Sequence, residues 1–296
     1  MLFPVLCYTS HIKKQRQENL KMNPQIRMIA LDLDGTLFNR DRQITPFTRE
    51  QIKKAVSLGI TVVISTGRPY VGLPLEEAGE LGIRYAITTN GAAVYEIPTR
   101  TCIYEKCMSE DFSCEILKEV LKKHVHLDAF VHGDAYTQTS TLEVIRHSSL
   151  PESTRNYILT TREQVEDICG YFRKNRLRLE KATINFEVES DGHFVDREET
   201  KELLLSYPEI QVVSGGYNNL EFTSAGVTKG AGLAFLCEHL NIPLECTMVC
   251  GDSENDKDIM GVAGFSVAMG NADPEIKALA DYVTDTNERE GVGLAI

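Results

Sequence analysis

Continuous apolar runs mark the two ends of the chain. These runs contain few polar residues before their last positions, and this is typical of parallel strands that are covered on both faces. Four of them are predicted to form strands: IRMIALD (26–32), ITVVIST (60–66), RYAITT (84–89) and TMVCGD (247–252).

Helical patterns lie between these runs. Thr45 and Pro46 predict a helix start, with Thr45 as the cap and Pro46 at the first helical position. Ile52 and Ala55 would face the core, and Gly59 would end the helix. The same alternation of strand and helix returns after Val227. The two ends of the chain therefore predict one α/β fold with a Rossmann-like parallel sheet.

The middle of the chain has a different pattern. AAVYEI and TCIYEKC predict a hairpin around residues 98–100. Residues 110–123 and 162–175 have the periodicity of amphipathic helices, and VDREETKELLLSY is also helical. ATINFEVE alternates like a half-exposed strand, and IQVVSG and NLEFTS predict two more strands. This block indicates an α+β unit with a largely antiparallel sheet.

These patterns predict a parallel core that is interrupted by an inserted domain. The core would comprise residues 23–87 and 223–296, and the insert would comprise residues 88–222. We expect the insert to move as a lid on two short hinges, near residues 88–90 and 224–226. Residues 1–22 are expected to be a dispensable extension, because they are unpatterned after Thr9.

Composition narrows the classes of partner. The formal net charge of −12 argues against nucleic acid, but a bound cation could still allow a small phosphorylated substrate. No apolar run reaches the roughly 18–20 residues that span a bilayer, and the opening MLFPVLCYTS lacks the basic start of a secretory signal. The eight cysteines form no C-x-x-C pair, so we expect reduced thiols in a cytoplasmic protein.

Polar residues cluster where the apolar runs end. Asp32 and Asp34 stand two positions apart in MIALDLDGTLF, so their side chains should point the same way. The carboxyl ends of parallel strands meet at one edge of a sheet, where ligands bind. The other polar residues expected at this edge are Ser65, Thr66, Gly67, Arg68, Lys229, Asp252, Asn255 and Asp256.

Clustered carboxylates of this kind predict a cation and a reaction. They can stay ionised together only if a positive charge neutralises them, and hard oxygen ligands suit Mg²⁺. With the metal bound, Asp32 could attack phosphorus as a nucleophile. Asp34 could protonate the leaving oxygen and then activate water. Thr66, Lys229 and backbone N–H groups could hold the other phosphoryl oxygens.

Four segments resemble the ordered motifs of the haloacid dehalogenase-like (HAD) phosphatase superfamily. They are D-L-D-G-T at 32–36, S-T-G-R-P at 65–69, the lysine of V-T-K-G at 227–230 and G-D-S-E-N-D at 251–256. The T-x-N-G-A stretch ending at Ala92 and the tail from AGFSVAMGNAD onward are similar to its Cof-type, subclass IIB sugar-phosphate phosphatases. The resemblance implies a Rossmann-like core with a mobile α/β cap of the C2B type after the third strand.

The resemblance also implies a role for each matching residue. Asp32 would be the nucleophile and Asp34 the general acid and base. Mg²⁺ would bind Asp32, the Asp34 carbonyl and Asp252. Phosphate would be held by the backbone of Leu33, by Thr66 and Gly67, by Lys229 and by Asn255. Arg68 stays open, because it could pair with the core acids or touch the substrate.

Two alternatives to hydrolysis follow from the same residues. A phosphomutase would pass the phosphoryl group to a sugar, but such chains tend to have a G-G-S-D-like segment where this one has S-T-G-R-P. A receiver-like module also combines acids, Ser/Thr and Lys around Mg²⁺. Such modules are much shorter and do not need an acid at Asp34. The sequence therefore favours a Mg²⁺-dependent phosphatase acting on a small phosphorylated metabolite.

Overall fold

Two separate β-sheets organise the chain in the computed structural model, which describes residues 25–148, 150–214 and 219–296. The strands are β1 Met28–Leu31, β2 Thr61–Ser65, β3 Tyr85–Thr88, β4 Ala93–Glu96, β5 Thr101–Glu105, β6 Val125–Val131, β7 Asp134–Gln138, β8 Glu163–Val165, β9 Lys181–Phe186, β10 Ile210–Val213, β11 Leu220–Ser224, β12 Thr247–Gly251, β13 Phe265–Ala268 and β14 Tyr282–Val283.

The helices connect and cover these strands. They are α1 Pro46–Ser57, α2 Leu75–Leu81, α3 Glu110–Val120, α4 Leu142–Arg146, α5 Glu152–Thr161, α6 Ile168–Asn175, α7 Arg197–Leu205, α8 Lys229–Leu240, α9 Lys257–Val262, α10 Pro274–Leu279 and α11 Gly291–Ala295. Helix α1 begins at the predicted Pro46 and buries Ile52 and Ala55, as its pattern indicated.

The first sheet has the strand order β14-β13-β12-β1-β2-β3-β4-β5. Strand β1 lies inside it and pairs in parallel with β2 and β12, so Met28 lies opposite Thr61 and Thr247. All four residues of β1 are buried, as its continuous apolar run predicted. The predicted Rossmann-like parallel sheet is confirmed. Its topology brings the carboxyl ends of β1, β2 and β12 to one edge.

The hairpin of β4 and β5 belongs to this first sheet. Strand β4 pairs antiparallel with β3, so Tyr85 lies opposite Glu96 and Thr88 lies opposite Ala93. The predicted boundary at residue 88 is therefore wrong for the sheets, and the chain leaves the first sheet only after Glu105. The reason is local, because residues 89–91 all have positive φ and turn the chain straight back beside β3.

The second sheet has the order β10-β11-β9-β6-β7-β8 and is antiparallel except for the pair β7–β8. Helices α3, α6 and α7 cover one face and bury Leu117, Phe172 and Leu204 with it. The predicted helix 162–175 is only partly correct. Glu163–Val165 forms strand β8, and α6 begins after Asp167, whose side chain caps the helix by accepting from the N–H of Gly170.

Strand β9 also differs from its prediction. ATINFEVE was expected to be half-exposed, yet all six residues of Lys181–Phe186 are buried. Ala182, Ile184 and Phe186 pack under the helices, while the alternating polar residues point to the other face. That polar face lines a cavity between the two sheets, and α4 packs against the strand. An alternating polar and apolar pattern, which usually marks a half-exposed strand, thus occurs here in a strand that is buried on both faces.

Buried polar contacts join the two sheets. The Glu180 carboxylate accepts hydrogen bonds from Thr89 Oγ1 at 3.2 Å, Tyr95 Oη at 3.4 Å and the Gly133 N–H at 3.1 Å. Burial and the nearby charge of Glu105 raise the pKa of Glu180 to about 7. An interface built from such contacts is more polar than a domain core.

Two expectations concern other parts of the chain. Residues 1–22, expected to be dispensable, lie outside the described residues. In the part of the chain that the structure describes, no helix combines the length and apolar character needed to cross a bilayer.

We predict that Gly91→Ala destabilises the protein by at least about 2 kcal/mol. Gly91 has φ +95°, where an L-residue is strained, and an added Cβ would overlap the carbonyl oxygen of Thr228. Urea unfolding followed by circular dichroism measures the change. Gly79→Ala is the control, because nothing lies within 4 Å of its added Cβ and the substitution should stabilise α2 by up to ~1 kcal/mol. Equal midpoints for wild type and Gly91→Ala would contradict this account.

Candidate active site

A buried ammonium organises the edge where β1 and β12 end. Lys229 is the first residue of α8, and Thr228 caps that helix by accepting from the N–H of Ala231 at 3.0 Å. The Lys229 Nζ lies 2.7 Å from Asp32 Oδ1 and 2.7 Å from Asp256 Oδ1. It also donates to Asn255 Oδ1 at 3.2 Å. Lys229 is fully buried, so these acids are its counter-charges.

Asp32 directly follows β1 and is 5% exposed. Burial raises its pKa, and the Lys229 ammonium opposes that effect. The charges of Asp256 and Asp32 raise the pKa of Lys229 above its ordinary value despite burial. Because an ammonium at 2.7 Å stabilises the carboxylate directly, we take Asp32 and Lys229 as a charged pair.

Three carboxylates form a candidate metal centre. Oxygens of Asp32, Asp252 and Asp256 lie within 4.8 Å of one another. Asp256 is already engaged, because its Oδ2 accepts the N–H groups of Asp252 at 3.0 Å and Ser253 at 3.1 Å while its Oδ1 meets Lys229. Asp32 and Asp252 are therefore the better direct ligands, and Asp256 orients them. Hard oxygen donors of this kind fit Mg²⁺.

The electrostatics of Asp252 also fit a cation site. Burial, and next the charge of Asp256, raise the pKa of Asp252 to about 7. Its Oδ1 accepts from the Thr36 hydroxyl at 2.8 Å. Since metal ligands must be deprotonated, a bound cation would displace the proton that this environment favours.

Asp34 is held by Arg68. The Arg68 Nε donates to Asp34 Oδ2 at 2.6 Å, and its Nη2 donates to the other oxygen of the same carboxylate. Burial acts to raise the pKa of Asp34, but the Arg68 guanidinium outweighs it and lowers that pKa. The Asp34 side chain is 58% exposed and faces the cavity. Of the two possibilities for Arg68, the structure shows the ion pair, although Arg68 also lines the cavity.

The candidate phosphate-binding groups surround the same place. Thr66 and Gly67 line the cavity with Asp32 and Asn255. Lys229 lies just behind them, in contact with both Asp32 and Asn255. Within the described residues, the backbone N–H groups of Leu33 and Gly67 have no protein acceptor. Each can therefore donate to an oxygen of a bound anion.

The second sheet forms a roof over this edge, which sequence reasoning did not find. Its cavity-lining polar residues are Asp128, Lys181, Thr183, Asn185 and Glu221, with Arg162 beside them. Lys181, Thr183 and Asn185 alternate with apolar residues along β9. This period of two was visible in KATINF, but only the packing shows that the polar face is covered.

Two ion pairs neutralise the roof. Arg162 Nε lies 3.0 Å from Asp128 Oδ2, and Lys181 Nζ lies 2.7 Å from Glu221 Oε1. Among the described residues, Asp128 Oδ1 is buried without a hydrogen-bond partner, and His126 Nε2 lies 3.5 Å from that oxygen. The roof therefore offers an acceptor to a ligand donor without adding net charge.

The cavity between the two sheets has a volume of about 160 Å³. A site of that size holds on the order of ten water molecules. It suits a small metabolite and is too small for a polymer. Tyr157 of α5 closes one side, and the guanidinium carbons of Arg42, Arg68 and Arg162 lie 4.5, 5.1 and 4.8 Å from its ring centre.

Comparisons with known proteins agree with this geometry. A model of the haloacid dehalogenase-like hydrolase family matches residues 29–296. Phosphatase YwpJ of Bacillus subtilis is 29% identical over 279 residues, covering 90% of this chain and 97% of that protein. The 5-amino-6-(5-phospho-D-ribitylamino)uracil phosphatase YcsE of the same organism is 29% identical over 272 residues, covering 92% and 94%.

A solved structure shares the whole architecture. The HAD subclass IIB sugar phosphatase BT4131 superposes with a TM-score of 0.74 at 25% identity, covering 91% of this chain and 97% of that one. The chain belongs to the haloacid dehalogenase-like hydrolases. Within that family it is a Cof-type, subclass IIB phosphatase, and this confirms the resemblance of its four motifs.

We predict that Mg²⁺ raises the melting temperature of the protein and that Asp252→Asn removes most of this effect. A ligand that binds only the folded state at a hundred times its Kd adds about 2.7 kcal/mol. Thermal melts with and without Mg²⁺ measure the shift. The control is Asp273→Asn, an exposed acid before α10 that should keep the wild-type shift. A full Mg²⁺ shift in Asp252→Asn would place the metal elsewhere.

Proposed function

We propose that this protein is a Mg²⁺-dependent phosphatase that hydrolyses small phosphomonoesters through an aspartyl-phosphate on Asp32. The observation that carries the proposal is the position of the Asp32 carboxylate. It is paired with a buried ammonium on one side and lines the cavity with Asp34 and Thr66 on the other. A carboxylate held in this way is a fixed, desolvated nucleophile.

The first step transfers the phosphoryl group to Asp32. A bond forms between the Asp32 carboxylate oxygen and phosphorus while the bond to the leaving oxygen breaks. The N–H groups of Leu33 and Gly67, with Thr66, hold the phosphoryl oxygens where negative charge increases. Lys229 at the start of α8 and Asn255 in the loop after β12 complete the surroundings of the phosphoryl group.

Asp34 supplies the proton in this step and recovers it in the next. Arg68 keeps Asp34 ionised in the resting protein. A phosphate dianion that enters the cavity competes for the Arg68 guanidinium and raises the pKa of Asp34. Asp34 then donates to the leaving oxygen. Once ionised again, it takes a proton from the water that attacks the aspartyl-phosphate.

Mg²⁺ would be held by Asp32, Asp252 and the carbonyl of Asp34. When bound, it neutralises clustered carboxylates and polarises a phosphoryl oxygen. The donor set fits this ion because Asp32 and Asp252 each use Oδ1 for a hydrogen bond to the protein and keep Oδ2 for a ligand within the described residues.

The substrate is a small phosphorylated metabolite with a leaving group that reaches the roof. The related YcsE is named for a ribityl phosphate and BT4131 for sugar phosphate, so sugar phosphates or phosphorylated cofactors are the proposed class. The phosphatase names of the relatives favour water over a sugar as acceptor. A cytoplasmic location remains a prediction, and it rests on the eight cysteines without a C-x-x-C pair.

We predict that Asp34→Asn lowers kcat by about a hundred- to ten-thousandfold on alkyl phosphates. The loss on p-nitrophenyl phosphate should be smaller, because p-nitrophenolate leaves without a proton. Water attack is also slowed, so the aspartyl-phosphate should accumulate and appear in rapid-quench labelling. Asp32→Asn is the comparison and should give neither turnover nor label. Equal losses on both esters, with no trapped intermediate, would show that Asp34 has another role.

We predict that Arg68→Gln moves the pH profile of kcat on p-nitrophenyl phosphate toward higher pH by about one unit, because kcat includes hydrolysis of the aspartyl-phosphate, the step in which Asp34 acts as base. Removing the guanidinium destabilises the Asp34 carboxylate, so its pKa rises and the base is lost at a higher pH than in wild type. Rates on p-nitrophenyl phosphate from pH 4 to 9 measure the shift. Arg100→Gln removes an exposed ion pair to Asp134 and should leave the profile unchanged. If the acidic limb of the Arg68→Gln profile does not move, that limb does not report the ionisation of Asp34.

A further inference from the structure

We propose that Lys181 of the second sheet is a catalytic residue whose ammonium binds the phosphoryl group of the substrate. This inference rests on the proposed function, since it assigns a new member to the same phosphoryl site. It concerns a residue that no motif of the sequence singled out. Lys181 opens strand β9 and is 2% exposed.

The position of the ammonium points to the phosphoryl group. Lys181 Nζ lies 3.2 Å from the point that a Cβ would occupy on Gly67. Asn90 Oδ1 and Asn255 Nδ2 lie 2.9 and 3.6 Å from the same point. Gly67 is the residue after β2 whose N–H is proposed to bind the phosphoryl group, and Gly67, Lys181 and Asp32 line the same cavity. The Lys181 ammonium of the roof therefore lies next to Gly67, a residue of the first sheet's edge.

The ammonium is fixed in place by its surroundings. Its carboxylate partner is Glu221 at 2.7 Å, and Thr183 and Asn90 donate to the same carboxylate at 3.3 and 2.6 Å. The Phe130 ring centre lies 5.2 Å from Nζ. Glu221 acts as a positioning residue because it holds Lys181 directly, and Asn90 supports it by donating to the Glu221 carboxylate.

A chain of side chains connects this cation to the nucleophile. Asn90 accepts from Asn255 at 3.2 Å, and Asn255 accepts from Lys229 at 3.2 Å. Lys229 in turn pairs with Asp32. Thr89 and Asn90 have φ of 50° and 58°, which is unfavourable for a β-branched residue and is concentrated at the point where this chain crosses between sheets. The strained turn thus places Asn90 between Glu221 and Asn255.

Hydrogen-bond capacity supports a ligand at Lys181. A lysine ammonium has three donors, and in the described residues Glu221 is the acceptor recorded for this one. Burial lowers the pKa of Lys181, and Glu221 opposes that effect. An arriving phosphate dianion would add a second counter-charge. The charge that spreads over the phosphoryl oxygens in the transition state would then be stabilised at a site with little water.

The test compares Lys181→Gln with wild type in two assays. The variant should lose about a hundredfold in kcat/KM on p-nitrophenyl phosphate, the size seen when one donor to a developing charge is removed. Competitive inhibition by inorganic phosphate should weaken by about tenfold or more, corresponding to one lost charged hydrogen bond. Inorganic phosphate has no leaving group, so this readout reports contact with the phosphoryl group itself. Lys181→Arg should restore part of both losses.

The control is Lys122→Gln, an exposed lysine paired with Glu119 on the outer face of the second sheet, and both assays should be unchanged. Glu221→Gln is a second variant that leaves Lys181 in the chain without its anchor, and it should weaken phosphate inhibition as well. If Lys181→Gln does not fold, an unchanged phosphate inhibition constant in Glu221→Gln overturns the inference. So does an unchanged constant in folded Lys181→Gln. A wild-type protein that hydrolyses no phosphomonoester with Mg²⁺ would instead refute the proposed function.

Discussion

One buried ammonium makes the whole site possible. Asp32, Asp252 and Asp256 crowd together at the ends of β1 and β12, and their ionised forms would repel each other there. Lys229 neutralises two of them at 2.7 Å each and has no exposure of its own. Removing either partner of such a buried pair leaves an uncompensated charge, which is far more costly than losing a surface contact. The ammonium is placed by α8, so the charge state of Asp32 depends on a helix that begins almost two hundred residues further along the chain.

The two sides of the cavity, here called the floor and the roof, are built differently. The floor, formed by the residues directly after β1, β2 and β12, is rigid because these strands are paired in parallel and because Asp256 holds the N–H groups of Asp252 and Ser253. The roof carries side chains in ion pairs, such as Arg162 with Asp128 and Lys181 with Glu221. Under the proposed function, the residues after β1, β2 and β12 bind the phosphoryl group together with Lys181, and the other roof residues face the leaving group. The polar contacts between the sheets, centred on Glu180, are of the kind that can separate and reform.

The errors of sequence interpretation share one cause. The hairpin of β4 and β5 was placed in the insert because its pattern differs from a parallel strand, yet it pairs with β3. The alternation in strand β9 predicts a half-exposed strand, yet its polar face lines the cavity and all six of its residues are buried. Alternation reports which residues share a face, and it does not report what covers that face. Only packing between distant segments decides that question.

The sequence by itself determined the parallel sheet, the family and the polar residues that stand where the buried strands end. These are local properties, because an apolar run followed at once by Asp32, Thr66 or Asp252 fixes both a buried strand and the polar group at its end. Tertiary structure alone decided that Arg68 pairs with Asp34 and that both oxygens of Asp256 are already engaged by neighbouring groups. It alone brought Lys181 beside Gly67, across more than a hundred residues of chain. Charges and hydrogen bonds of this kind depend on distances of a few ångströms, which a linear pattern does not contain.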